Sequence, residues 1–397
     1  MLLYIQRKAI GEIVLTQKKT DISPVITFSK KDTLVIKGIA IIMLVLYHCF
    51  STQDRLMGYS VNMAPVEFYE SMNICVGIFS FLSAYGLTKV AIKKYGDRLY
   101  TGRGASDFNL RRIISLLSAF IIPYAVCTAS TLIFVGYNPY GLDADFYFNM
   151  IADMLGIAGL LGSKMMVSTW WYMSFALIII LLIPFTVALY KKFGAACIVP
   201  YIVIPLLLNG SGAYAWTGLD NMTRWLLTVP LGVIFAQGDT LERMKSFSLI
   251  KNKVVSKIVR FLILGLILTG LFVFRKNPWC QRYFYYFISS ILPVVFVYFL
   301  YEFICPVPIL NTILAFLGKH SSNIFFVHTF VRAVWWPDMV YSTGEWYWVF
   351  LIVFGISLGI SIAITLFQML VRWDKLIAFL TSKAAKLTTP APEKEEA

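Results

Sequence analysis

The chain has 397 residues, 58% of them hydrophobic and 14% charged, with a mean hydropathy of +0.72 and a formal net charge of +14. A soluble globular domain is nearer half apolar and a quarter charged, so the composition excludes a soluble protein and implies an all-α, polytopic transmembrane helix bundle. No basic soluble domain is present to carry the positive charge, which excludes nucleic acid as a partner and assigns the charge to topology and to contact with membrane lipids.

Residues 1–31 are polar and charged. They lack the short apolar core and small-residue cleavage site of a signal peptide and read as a cytoplasmic N-terminal segment. Ten apolar spans follow, at 34–50, 72–92, 113–135, 171–190, 195–208, 222–237, 259–274, 283–304, 321–336 and 347–371, judged against the roughly 17–25 residues a helix needs to cross. With the N-terminus cytoplasmic, the inner segments hold 26 Lys and Arg and the outer segments seven. That is the bias of the positive-inside rule, and it places both termini in the cytoplasm and the protein in the plasma membrane as a multi-pass chain. Residues 32–372 form the transmembrane domain. Residues 373–397 form a cytoplasmic tail whose Pro-, Lys- and Glu-rich end, from about Ala384, reads as disordered.

Ionisable groups inside spans are costly and usually face a bundle interior or a water-filled cavity. In the first span, Lys37 and His48 stand eleven residues apart. Eleven helical steps make three turns plus about 20°, and about 16 Å of rise. The two side chains therefore share a face, Lys37 near the cytoplasmic end and His48 toward the external end. Taken singly, Lys37 could snorkel to headgroups and His48 could cap the outer end of its helix. Between the first two spans, Glu67 and Glu70 are loop carboxylates that could orient His48 or stay solvated. Ser83 lies inside the second span and could equally bond back to its own helix. Arg111 and Arg112 stand at the entry to the third.

The outer stretch 136–170 begins "GYNPYGLDADFYF" and suggests an interfacial or re-entrant helix. Trp170, Trp171 and Tyr172 after it read as an interfacial aromatic belt, as do Trp335 and Trp336. Glu302, near the inner end of the eighth span, reads as structural. His328 lies inside the ninth span, where a structural histidine bonded to a neighbouring helix is the alternative to a site role. His320 is expected at the cytoplasmic surface. Six scattered cysteines have no metal-ligand spacing, so neither a disulfide nor a metal site is expected, and Cys280 falls in an outer loop.

Several of these segments resemble one family in its order. "TLVIKGIAIIMLVLYH" is similar to the first helix of the acyltransferase-3 membrane family, marked by Arg or Lys, ten residues, then His. "FSFLSAYGL" resembles its second helix, with Ser83 at the family's serine and Ala84 in place of the usual Gly. "NLRRIISLLSAFIIPY" resembles the basic entry to its third helix, although the Arg-x-x-Arg pattern is degraded to the adjacent Arg111 and Arg112. "STWWYMSFALIIILLIP" and "FLGKHSSNIFFVHTF" resemble its fourth helix and its C-terminal signature.

The resemblance implies a membrane O-acyltransferase that moves an acyl group, acetyl first among the candidates, from cytoplasmic acetyl-CoA to a hydroxyl of a cell-surface glycan or its lipid-linked precursor. Lys37, Arg111 and Arg112 are then expected to hold the CoA phosphates. His48 is expected to take the acceptor proton or carry the acyl group, and His328 to orient the acceptor or polarise the thioester. The family's frequent fused extracytoplasmic domain is not expected in these residues. The rival reading is a lipid-linked glycan exporter without chemistry, for which the Lys-x10-His face has no use.

Overall fold

A computed structural model of the chain describes residues 27–142, 144–210, 217–248 and 250–388. Most of the N-terminal segment and the end of the tail lie outside them. Among the described residues the regular structure is helical, with one isolated backbone bridge between Asn62 and Glu345.

Helix α1, Lys30–Phe50, starts at a capping box. The Ser29 hydroxyl accepts the Asp32 amide at 3.1 Å, and the Asp32 carboxylate accepts the Ser29 amide at 2.8 Å. That satisfies two orphan donors and puts a negative charge at the positive end of the helix. Helices α2, Ile74–Tyr95, and α3, Gly102–Ser130, follow. A short helix α4, Phe146–Met154, lies in the connection to α5, Trp171–Phe193. The chain continues through α6, Val199–Gly210, α7, Thr228–Gln237, α8, Lys253–Lys276, and α9, Tyr285–Phe303. It closes with α10, Pro308–Phe330, α11, Trp346–Leu370, and α12, Trp373–Thr388.

Seven helical runs among the described residues are long and apolar enough to cross a membrane. The fourth and fifth expected spans fall in one of them, 168–208. The sixth is divided between a short helix, Thr217–Trp225, and α7, only 10 residues long. The ninth is α10, which begins well before the expected position because its middle is polar: Lys319, His320, Ser321, Ser322 and Asn323 interrupt the hydropathy. That polarity is matched inside the bundle. His320 is buried, against the surface position expected for it, and its Nδ1 lies 2.9 Å from the Ser361 hydroxyl on α11. Cys280 is likewise buried, in the short helix Pro278–Tyr283. Glu302 pairs with Arg260 at 3.3 Å. Helix α8 is the opposite case. Its apolar side chains point outward, Leu266 being 76% exposed, as a lipid-facing helix requires.

Helices α1 and α10 approach so closely that each touches the other's backbone at a glycine. A Cβ on Gly38 would lie 2.1 Å from the Leu314 carbonyl oxygen, and one on Gly318 would lie 1.9 Å from that of Leu34. In a membrane, where lipid tails are as apolar as leucine, this contact through small residues is how helices gain dispersion energy.

Beyond the far ends of these helices, the described residues of 136–170 fold as a cap with α4 inside it. The buried Asp153 carboxylate accepts the Tyr140 hydroxyl at 2.8 Å and the Met166 amide at 2.8 Å. Tyr140 in turn meets the Tyr124 hydroxyl of α3 at 3.2 Å. The second cap comes from the bridge, where Asn62 N donates to the Gly344 carbonyl at 2.8 Å. Helix α12 returns along α3, with Trp373 Nε1 donating to the Ser118 carbonyl at 3.1 Å. The part of the expected disordered tail beyond Thr388 lies outside the described residues.

Two outcomes follow from these contacts. Gly318→Val should force α1 and α10 apart, lower the thermal unfolding midpoint and abolish activity although no site residue changes; an unchanged midpoint would contradict the close contact. Burial pushes the Asp153 carboxyl from its ordinary 3.8 up to about 6, against the two hydrogen bonds that hold it down. The folded state therefore binds the proton more tightly than the unfolded chain. Its contribution is fully present below about pH 4 and is lost as pH rises through about 6. Asp153→Asn should remove that part of the slope, read as a midpoint that falls less than the wild type's across this window.

Candidate active site

The shared face of Lys37 and His48 borders a single cavity of about 240 Å³. Its wall also includes Ser83 of α2, Thr169 before α5, Tyr172 of α5 and Phe325 of α10. Lys37 is half-buried, with no hydrogen bond or ion pair to its ammonium among the described residues. The Tyr172 hydroxyl interacts with the Ser83 side chain. Trp170, expected in an interfacial belt, is instead 1% exposed, and its Nε1 donates to the Phe326 carbonyl at 3.2 Å. The segment "STWWY" thus builds the cavity wall and its support.

At the other end of the cavity His48 meets His328. The His48 Nδ1 lies 2.6 Å from His328 Nε2. The ring planes are within 9° of parallel and the centroids are 4.8 Å apart. That separation exceeds the N···N distance by about two ring radii, so the rings meet edge to edge in one plane. The His328 Nδ1 lies 2.8 Å from the Phe325 carbonyl oxygen and 3.2 Å from that of Ile324. A carbonyl can only accept, so this nitrogen carries the hydrogen and Nε2 is the acceptor. His48 must then donate from Nδ1, which leaves the lone pair of its Nε2 unused. No described residue bonds to that Nε2, and His48 borders the cavity. The imidazole is thereby held in the tautomer whose Nε2 can accept a proton.

His328 is fully buried behind His48 and off the cavity wall. His328, expected to touch the acceptor or the thioester, thus meets the cavity through its contact with His48. Glu67 and Glu70 are also elsewhere. They border a recess with Arg275 and Lys276, and the Lys276 ammonium donates to the Glu67 carbonyl at 3.3 Å. The helix Val66–Glu70 buries Tyr69 against Phe50 and so turns both carboxylates outward. The group that orients His48 is a second histidine.

Arg111 is occupied by Asp107, its Nε lying 2.8 and 2.9 Å from the two carboxylate oxygens. Arg112 lies one turn before the cavity-lining Leu116 on the same face of α3, its guanidinium 5.8 Å from the Phe108 ring. Neither arginine is on the cavity wall, and Arg112 is the one on the face that leads to it. The contribution of Thr169, Thr329 and Phe325 has no signal in the sequence beyond their nearness to aromatic or histidine positions. Among the described residues, no group of three or more His, Cys, Asp or Glu side chains could hold a metal ion.

Residues 35–366 match a protein family described as an acyltransferase domain. No curated protein and no solved structure matches the chain.

An ammonium without a counter-charge inside a bundle is held at a cost to stability. Lys37→Met should therefore raise the unfolding free energy, by on the order of 1 kcal/mol. A drop in stability would show that Lys37 has a structural partner.

Proposed function

The chain belongs to the acyltransferase-3 family, and from that premise we propose that it is an O-acyltransferase that moves an acetyl group from cytoplasmic acetyl-CoA to a hydroxyl of a cell-surface glycan or its lipid-linked precursor. Ten crossings with both termini in the cytoplasm, as the charge bias implies, put the Lys37 end on the donor side. The observation that carries the reading is the cavity with an unpartnered cation at its inner end and the open Nε2 of His48 at its outer end.

CoA is a polyanion on a long, thin arm. Its phosphates stop at the basic inner mouth, where Lys37 and Arg112 offer charge-assisted hydrogen bonds. The pantetheine arm follows α1 for about 16 Å and brings the thioester to His48. The acceptor hydroxyl attacks the thioester carbonyl as Nε2 of His48 takes its proton. The C–S bond of the resulting tetrahedral intermediate breaks, and the imidazolium returns the proton to the departing sulfur. The products are the ester and free CoA. His328 is a positioning residue. By accepting from Nδ1 it fixes the reactive tautomer of His48, and its contact favours the imidazolium formed during transfer. Ser83 and Tyr172 supply hydroxyls along the arm's path.

The test is acetyl transfer by the purified, reconstituted chain. His48→Ala should lose about 10² to 10⁴ in rate while remaining monodisperse, since an apolar residue in a span does not impair insertion. His328→Gln should lose less, and in kcat with the acetyl-CoA KM retained, because only the orientation of the base is changed. Label should pass to glycan only from acetyl-CoA on the inner face of the vesicle. A folded His48→Ala protein that transfers at the wild-type rate would replace this reading with the exporter.

A further inference from the structure

A second cavity, of about 700 Å³, opens on the other side of the histidine pair. Its wall includes Val135, Ser163, Lys164, Thr329 and Arg332. Two π-helical turns, Thr131–Val135 at the end of α3 and Val331–Trp335 at the end of α10, contribute to it and are tied by Trp335 Nε1 donating to the Thr131 hydroxyl at 2.9 Å. Such turns are frequent at functional sites. Thr329 lies on this wall and Thr169 on the wall of the donor cavity, and their hydroxyl oxygens are 3.1 Å apart. The two cavities therefore abut at that contact, where the Thr329 hydroxyl is also 3.2 Å from His328 Nε2.

Arg332 is only 8% exposed. Its Nη1 donates to the Arg55 carbonyl at 2.8 Å and to the Tyr341 hydroxyl at 3.2 Å, and its Nε is buried without a hydrogen-bond partner. No carboxylate pairs with it among the described residues. A second cation stands beside it: Arg55 donates to the His48 carbonyl at 3.2 Å and lies 4.8 Å from the Tyr47 ring centroid. Burial, and with it the charge of Arg332, lowers the pKa of Arg55. Lys164 stands at the rim, its ammonium donating to the Tyr140 carbonyl at 3.4 Å. Among the described residues the cavity wall carries no Asp or Glu. Asp153, nearby in the cap, is taken by Tyr140 and the Met166 amide. A buried cation with no counter-charge is costly, and a ligand that brings the charge removes the cost.

We propose that this second cavity is the acceptor site and that it holds an anionic group of the acceptor, a phosphodiester or a carboxylate, on Arg332. Rotation of the Thr169 and Thr329 side chains then joins the cavities and brings the acceptor hydroxyl to His48. That the anion belongs to an acceptor rests on the acyl-transfer reading; that the site takes an anion does not. An anionic headgroup of the outer leaflet offers the same chemistry, and the test separates the two.

The full chain is placed in phosphatidylcholine nanodiscs without acyl donor, and its unfolding midpoint is followed with glycerophosphoglycerol and with the neutral diglycerol. Ligand that binds only the folded state raises the midpoint. The phosphodiester should raise it and diglycerol should not. Arg332→Gln should weaken the apparent Kd for the phosphodiester about tenfold or more, and Arg332→Lys should retain part of the response. Ser163→Glu, which leaves Arg332 in place and puts a negative charge on the wall, should also lose it. If phosphatidylglycerol in the disc itself raises the wild-type midpoint and abolishes the soluble response, the occupant is the lipid and the acceptor assignment is overturned. If wild type, Arg332→Gln and Ser163→Glu respond alike, or diglycerol acts as strongly as the phosphodiester, the anion site is overturned. Because no donor is present, these results stand whether or not the protein transfers acyl groups.

Discussion

The close approach of α1 to α10 at Gly38 and Gly318 is the constraint on which the rest of the molecule depends. Each glycine faces a carbonyl of the opposite helix, at Leu314 and Leu34, and no other residue type leaves room there. With the two axes fixed near their basic ends, the same pair of helices runs on to bring His48 and His328 to 2.6 Å at the other. A hydrogen bond between two imidazoles in one plane tolerates little displacement, because its strength falls steeply once the donor hydrogen leaves the line of centres. The geometry of the histidine pair is therefore a consequence of backbone contact several turns away. The contact on the neighbouring helix pair has the same character. A Cβ at Gly232 of α7 would lie 2.6 Å from the Cβ of Ala84, so the alanine that stands where the family usually has glycine is accommodated by a glycine on the facing helix.

Electrostatics organises the space on either side of that contact. A hydrocarbon environment penalises every charge that lacks a partner, and the chain meets this in two ways. Structural charges are matched: Arg260 has Glu302 and Arg111 has Asp107, while Arg275 has Asn73, Ser289 and Tyr285. Lys37 and Arg332 are not matched by any carboxylate among the described residues, and each borders a cavity. One lies on each side of the histidine pair. The penalty is thus concentrated where an anionic ligand can remove it, which links affinity for ligand to the instability of the empty site.

Length and hydropathy were enough to determine an α-helical membrane protein, and the order of five short segments was enough to determine its family. Helical geometry alone put Lys37 and His48 on one face, because eleven residues is close to a whole number of turns. Properties of that kind are local: they depend on the residues of a single helix and on its fixed rise and period. What the sequence could not decide is every relation between helices. It placed His320 at the surface because it stands beside Lys319, whereas Ser361, 41 residues away, buries it. It offered Glu67 and Glu70 to His48 because they follow it closely in the chain, whereas the group that fixes its tautomer comes from 280 residues later. It gave Arg332 no role, whereas the π-turn at the end of α10 holds that guanidinium buried. Burial and hydrogen bonding in this protein are set by which helix faces meet, and the apolar surfaces that must meet are too alike in sequence to say which partner each will choose. Only the tertiary contacts, narrowed by two glycines, make that choice.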